Sequence, residues 1–203
     1  MSSNQDYQDF IRSRRSVRRF LPDRVPQELL VRVLQTAAWA PSAHNRQPWR
    51  FVELDSALAR ERLALAMGQD YQRDLHADGA SEEQIQARLQ RSRQRITEAP
   101  AAILLCLETD EIDRYPDEHR QHAEYLMAVQ SVAMAGQNLL LAAHAEGLGG
   151  VWMCAPLFAQ EAARGALNLP ESWQPQALVL LGYPAKVSPP RIRREMDEVV
   201  LHV

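Results

Sequence analysis

Ala101-Ala102-Ile103-Leu104-Leu105-Cys106-Leu107 is an unbroken apolar run of seven residues. It is far shorter than the roughly 20 residues a bilayer span requires. Apolar runs of this length without alternation are strands covered on both faces. A second run, Gln176-Ala177-Leu178-Val179-Leu180-Leu181-Gly182, has the same character near the carboxy end. Between them His119 to Glu146 reads as the longest helix, with Leu126, Val129, Met134, Leu139, Leu140 and Leu141 making much of its circumference apolar. A helix apolar all round is buried. Two covered strands around one buried helix predict a layered protein whose sheet has helices on both sides.

The remaining elements fit that plan. Tyr7, Phe10 and Ile11 give Asn4 to Arg14 helical spacing, as do Leu29, Leu30, Val33, Leu34 and Ala37 after Pro26, with Pro41 ending the second run. Trp49 to Leu54 alternates like a strand, and Val151-Trp152-Met153 begins another. Ser56 to Met67 and Ser81 to Thr97 are polar helices, the second opened by a Ser81/Gln84 capping box. A short helix spans Ala159 to Leu167. Few strands interleaved with helices give an α+β protein with a central mixed sheet. No linker divides the chain, so residues 1–203 are expected to form one domain, with about 70–117 as a lid or helical excursion.

Composition excludes several classes. The chain has 203 residues, 46% hydrophobic and 24% charged, with 8 Gly and 12 Pro, the make-up of a globular protein. Its net charge of −3 disfavours a surface built for nucleic acid. All but one of its 23 cationic residues are arginine, the exception being Lys186. Met1 to Asp6 lacks a signal-peptide pattern, so a cytoplasmic protein with no membrane partner is expected. Cys106 and Cys154 stand in apolar surroundings and read as buried free thiols.

Four stretches carry recognition chemistry. Arg14-Arg15-Ser16-Val17-Arg18-Arg19 is the densest positive cluster, equally consistent with a solvated helix end and with a phosphate clamp of planar guanidinium forks plus a hydroxyl. Pro41-Ser42-Ala43-His44-Asn45-Arg46-Gln47-Pro48-Trp49 is a proline-bracketed loop, and the amides of Asn45 and Gln47 suit the edge of a heterocycle. Gly147-Leu148-Gly149-Gly150 follows a helix and precedes a strand, the reverse of a dinucleotide fingerprint, and reads as a helix stop with close backbone approach. Arg191 and Arg193 lie in a basic tail. His119 and His122 with Glu124 offer a weak metal pattern, and no nucleophile motif occurs, so no catalytic side chain and no metal are assigned. A phosphate clamp and a heterocycle loop without a nucleophile describe a protein that borrows its chemistry from a cofactor. Trp39, Trp49 and Trp152 are assigned to core packing.

Taken in order, these motifs resemble the FMN-dependent nitroreductases. The resemblance implies a nitroreductase-like fold in a domain-swapped homodimer, with FMN at the interface and NAD(P)H passing electrons through it to a flat, electron-poor acceptor such as a nitroaromatic, quinone or flavin-like compound. By the same resemblance Arg14, Arg15, Ser16 and Arg18 grip the ribityl phosphate, and Arg191 and Arg193 close on it. Pro41, Ser42, Ala43, Asn45 and Gln47 come from the partner loop, and Gly149, Cys154 and Leu157 border the ring. Pro156-Leu157 stands where many members have Glu-Gly. Asp74 to Gly79, Tyr115-Pro116-Asp117 and Leu169-Pro170 with Trp173 resemble the nitroreductase-like domain of the deazaflavin-coenzyme maturation enzyme, which implies a dehydro-precursor reductase as an alternative. A non-enzymatic module using Arg14 to Arg19 as a basic binding patch is the other alternative.

Overall fold

In the computed structural model, which describes residues 3–203, the sheet has strand order β1-β2-β4-β3. The strands are β1 (Trp49–Glu53), β2 (Ala101–Glu108), β3 (Gly149–Met153) and β4 (Trp173–Gly182). Met1 and Ser2, at the head of the polar amino terminus, lie outside the described residues. The two apolar runs pair as β2 and β4, the two inner strands, and all three strand pairings are antiparallel. The expected mixed sheet is corrected accordingly: among the described residues its parallel component is a single bridge between Ser16 and Gly150.

The helices are α1 (Asn4–Ser13), α2 (Gln27–Ala37), α3 (Ala57–Ala77), α4 (Glu82–Thr97), α5 (Glu118–Ala145), α6 (Gln160–Leu167) and α7 (Met196–Val199). Alternation along β2 explains why its run is continuous. Ala101, Ile103, Leu105 and Leu107 face α2 and α5, packing with Leu30, Val33, Val132, Ala135 and Leu139. Ala102, Leu104 and Cys106 face α3, α4 and α6, packing with Leu63, Met67, Ile96 and Ala163. Neither face meets water, so neither side of the strand has a reason to be polar. By length and hydropathy α5 suffices to cross a bilayer, but here it is the central helix of one layer, with Val132, Ala135, Leu139 and Ala143 buried.

Several expectations change in detail. The expected 70–117 excursion includes β2, an inner strand, so the segment is not one excursion and its helical part is the α3–α4 hairpin. That hairpin is anchored by buried Met67, Leu75, Ile85 and Ile96. Ser81 and Gln84 form the expected reciprocal cap of α4. Only Gly147, at φ 77°, terminates α5, while Gly149 and Gly150 already belong to β3. Cys106 is buried but Cys154 is exposed. Among the assigned core tryptophans, Trp49 is buried and Trp152 half-buried, whereas Trp39 is 87% exposed.

Candidate functional site

The arginine run leaves α1 at Ser13 and becomes extended, bonded to β3 through the Val17 N–H and the Gly150 carbonyl at 3.0 Å. This apposition depends on glycine. A Cβ on Gly149 would lie 2.7 Å from the Val17 Cβ. Arg14 and Arg15 then border a cavity of about 170 Å³ with Ser13, His144, Gly149 and Gly150. Ser16 and Arg18 point elsewhere, into a shallower cleft of about 290 Å³ shared with Arg19, Lys186 and Ser188. The fold therefore divides the run between two neighbouring clefts.

Electrostatics set the first cleft apart. Burial, then Arg15, then Arg193 hold the Arg14 pKa below its ordinary value. Burial followed by Arg14 and Arg15 likewise depresses His144, whose Nε2 lies 2.7 Å from the Ser13 hydroxyl. The ring of Phe10 stacks on it with centroids 5.1 Å apart. Among the described residues, no carboxylate pairs with Arg14, Arg15, Arg18, Arg191 or Arg193, although Arg32, Arg46, Arg50 and Arg73 all have acidic partners. Positive charges gathered without counterions create a potential that favours a bound anion. Arg193, in the tail, is near enough to lower the Arg14 pKa, and both it and Arg191 lie exposed in that irregular segment.

The loop at 41–47 is a separate, strained structure. His44, Asn45 and Gln47 have φ of 50°, 54° and 50°. Each such residue costs on the order of 1–3 kcal/mol, less for Asn. The Ser42 hydroxyl accepts the Gln47 N–H at 3.0 Å, the Gln47 side-chain amide donates to Asn45 Oδ1 at 3.3 Å, and the Ala43 N–H donates to Ser131 Oγ at 3.3 Å. Pro41 is exposed and Ala43 half-buried, so the loop presents its amides outward. Its anchor, Ser131, and the arginine anchor, His144, are thirteen residues apart on α5, about 20 Å along the axis. The two recognition motifs of one chain are thus not brought together.

Beyond β3 the backbone forms a 3₁₀ turn at Ala155–Phe158. Leu157 is exposed, and its N–H is already donated to the Cys154 carbonyl at 3.0 Å. Cys154 accepts from the Trp152 ring N–H at 3.2 Å and opens onto a cavity of about 760 Å³ under the α3–α4 hairpin. Asp70, Asp74 and Asp78 line one wall and Arg88, Arg91 and Arg95 another. Their spacings, four apart on α3 and three and four apart on α4, were the signal that each set shares one side of its helix. His119 and His122 join no ligand-like cluster among the described residues.

This layout sets a cation-lined cleft at one end of β3 and a large pocket at the other in an α+β scaffold. Residues 11–183 match the model of the Nitroreductase family, and the chain belongs to that family. It is 32% identical over 213 aligned positions to an NADH dehydrogenase of Thermus thermophilus, covering 93% of this chain and 91% of that one. It is 30% identical to a Methanothermobacter thermautotrophicus protein assigned as an NADH dehydrogenase/NAD(P)H nitroreductase, covering 91% and 80%. A Desulfovibrio desulfuricans crystal structure, assigned as a nitroreductase in complex with FMN, superposes with TM-score 0.74 at 26% identity, covering 100% of this chain and 98% of that one.

Proposed function

We infer that the protein is an FMN-dependent NAD(P)H oxidoreductase working as a homodimer, with two sites built across the subunit interface. The observation that carries this reading is the uncompensated cation cluster of Arg14, Arg15 and Arg193 beside β3. A phosphate supplies the missing negative charge, and the guanidinium forks suit its oxygens. The residues present therefore fit the phosphate end of FMN. The backbone from Gly149 to Cys154 covers about 17 Å in extended form, which joins the phosphate cleft to the large pocket.

Bound FMN would supply the hydride and electron transfer. In that arrangement Arg14, Arg15 and Arg193 neutralise the phosphate, and Arg18 with Ser16 borders the adjoining cleft. Gly149 keeps the backbone low beside the ligand. The amides of Asn45 and Gln47 and the hydroxyl of Ser42 reach the site from the partner copy, because their own arginine cluster is about 20 Å away along α5. Exposed Tyr7, Ile11, Leu126, Met134 and Ile192 supply apolar surface for that association. Cys154 and Leu157 border the pocket in which a flat acceptor such as a nitroaromatic or quinone would lie. Donors held at the ring edge favour the negative charge of the reduced form and so set its potential.

The finer likeness to the deazaflavin-precursor reductase is weighed less. Its Asp74 to Gly79 stretch has a local explanation, since Gly79 at φ 75° stops α3. Turnover of a nitroaromatic with NADPH, compared with turnover of a dehydro deazaflavin precursor, separates the two. The primary test is the visible spectrum of the purified protein with its released cofactor identified. Stoichiometric FMN is the expected result; a colourless chain that refuses added FMN would overturn the reading and favour the basic-patch alternative.

A further inference from the structure

The strained loop contains a histidine the flavin reading does not use. His44 is exposed, held at φ 50°, and lies against two carboxylates from other parts of the fold. One is Asp113, half-buried in the connection between β2 and α5; the other is Glu124, in the second turn of α5. Ligand atoms of all three lie within 4.8 Å of one another.

Glu124 is the unusual member. It is 2% exposed, yet no cation pairs with it among the described residues. Its Oε1 accepts the Asp113 N–H at 3.3 Å, while its Oε2 is buried without any hydrogen-bond partner. An uncompensated buried carboxylate is strongly destabilising. Arg46 does not supply the charge, because its guanidinium is bonded to Asp113. The group that satisfies a buried oxygen, a second carboxylate and an imidazole at once is a cation.

We propose that His44, Asp113 and Glu124 bind one divalent transition-metal ion that fastens the 41–47 loop to α5. One nitrogen and two oxygens from the protein form a three-ligand set of the kind that suits Zn²⁺ or Mn²⁺, with remaining positions left to water. At metal–ligand distances of about 2.0–2.2 Å, ligand atoms stand roughly 3–4.3 Å apart. The observed spacing needs only a small closure, and the exposed His44 side chain is free to make it. Arg46 then acts as an outer partner, orienting the Asp113 carboxylate. Three residues at positive φ would be held by a bond to the core instead of by loop contacts alone. None of the three ligands is given a flavin contact above, so metal uptake can be read whether or not flavin is bound.

The test is calorimetric titration of the chelator-stripped, purified chain with Zn²⁺ and separately with Mn²⁺, with Mg²⁺ as a control and metal content measured after dialysis. One Zn²⁺ per chain is expected, Mn²⁺ more weakly and Mg²⁺ not at the same concentration. His44→Ala and Glu124→Gln should each weaken Zn²⁺ at least about tenfold. Cys154→Ser should leave affinity unchanged. Circular dichroism reports whether Glu124→Gln folds; if it does not, Asp113→Asn takes its place beside His44→Ala, whose side chain is exposed. The proposal is overturned by sub-stoichiometric binding, by Zn²⁺ affinity unchanged in either ligand variant, by loss in Cys154→Ser, or by equal uptake of Mg²⁺.

Discussion

Gly149→Ala is the sharpest test of how the arginine run is seated. The added methyl would lie 2.7, 2.8 and 2.9 Å from Val17 Cβ, Cγ2 and Cγ1. Carbon pairs prefer about 3.5–4.0 Å, so the overlap is near 1 Å. Val17 is 4% exposed and cannot swing away, so the extended segment itself must lift off β3. Overpacking of this kind costs about 1–3 kcal/mol, and the strained Val17–Gly150 hydrogen bond adds about 0.5–1.5 kcal/mol. A combined loss of about 2–4 kcal/mol in a domain of this size lowers the melting temperature by roughly 5–12 °C. Gly165→Ala is the internal control: it lies in α6 with no atom within 4 Å of its added Cβ, so helix propensity predicts a gain of about 0.5–1 kcal/mol. Differential scanning fluorimetry on both variants, with flavin content measured in parallel, reads the two signs directly. Val17→Ala should rescue Gly149→Ala only in part, because the 2.7 Å Cβ contact remains. A Gly149→Ala protein that melts with the wild type and keeps its flavin would falsify the packing of Arg14 to Arg18 against β3.

Other expectations follow from the same geometry. Arg14→Ala removes a cation held beside Arg15 and Arg193, so the flavin-free chain should melt at or above the wild-type temperature while FMN affinity falls at least about tenfold; retained affinity by fluorescence titration refutes the clamp. Burial and, secondarily, Glu108 push the Cys106 thiol up to about 12, so a thiol reagent near pH 8 should label one cysteine per folded chain, Cys154, and two after unfolding. The His144 pKa is depressed in the folded chain, so the unfolded state binds the proton more readily and stability is lost as pH falls below the unfolded value of about 6.5. His144→Gln should flatten that part of the stability–pH curve, and bound phosphate should raise the His144 pKa in an NMR titration.

The layers were legible because they rest on short-range physics. β2 and β4 announced themselves through apolar runs too short for helices, and α5 through an apolar circumference that only a core position explains. Ser81 with Gln84 and Gly147 at φ 77° marked real helix ends. Strand direction was not legible, because an apolar run has the same composition in a parallel and an antiparallel sheet. Cys154 and Trp39 escaped for a related reason. Apolar neighbours in sequence say nothing about which side of a turn a residue occupies, and both residues sit where the chain leaves a regular element.

Site legibility divided along the same line. The arginines and the amide loop were visible as dense local motifs, but His44, Asp113 and Glu124 come from three segments spread over eighty residues, and no local pattern joins them. The same limit explains the two halves of the proposed flavin site. A motif reports the residues a ligand needs, whereas α5 decides where each motif stands, and it sets the loop and the cation cluster about 20 Å apart. Under the proposed function a chain so arranged would hold one half of each of two sites, which would make association with a second copy part of the chemistry and not an addition to it. Dilution should therefore release the flavin at the concentration where sedimentation shows monomers, and flavin retained by a monomer would mean that the 41–47 loop serves a different purpose.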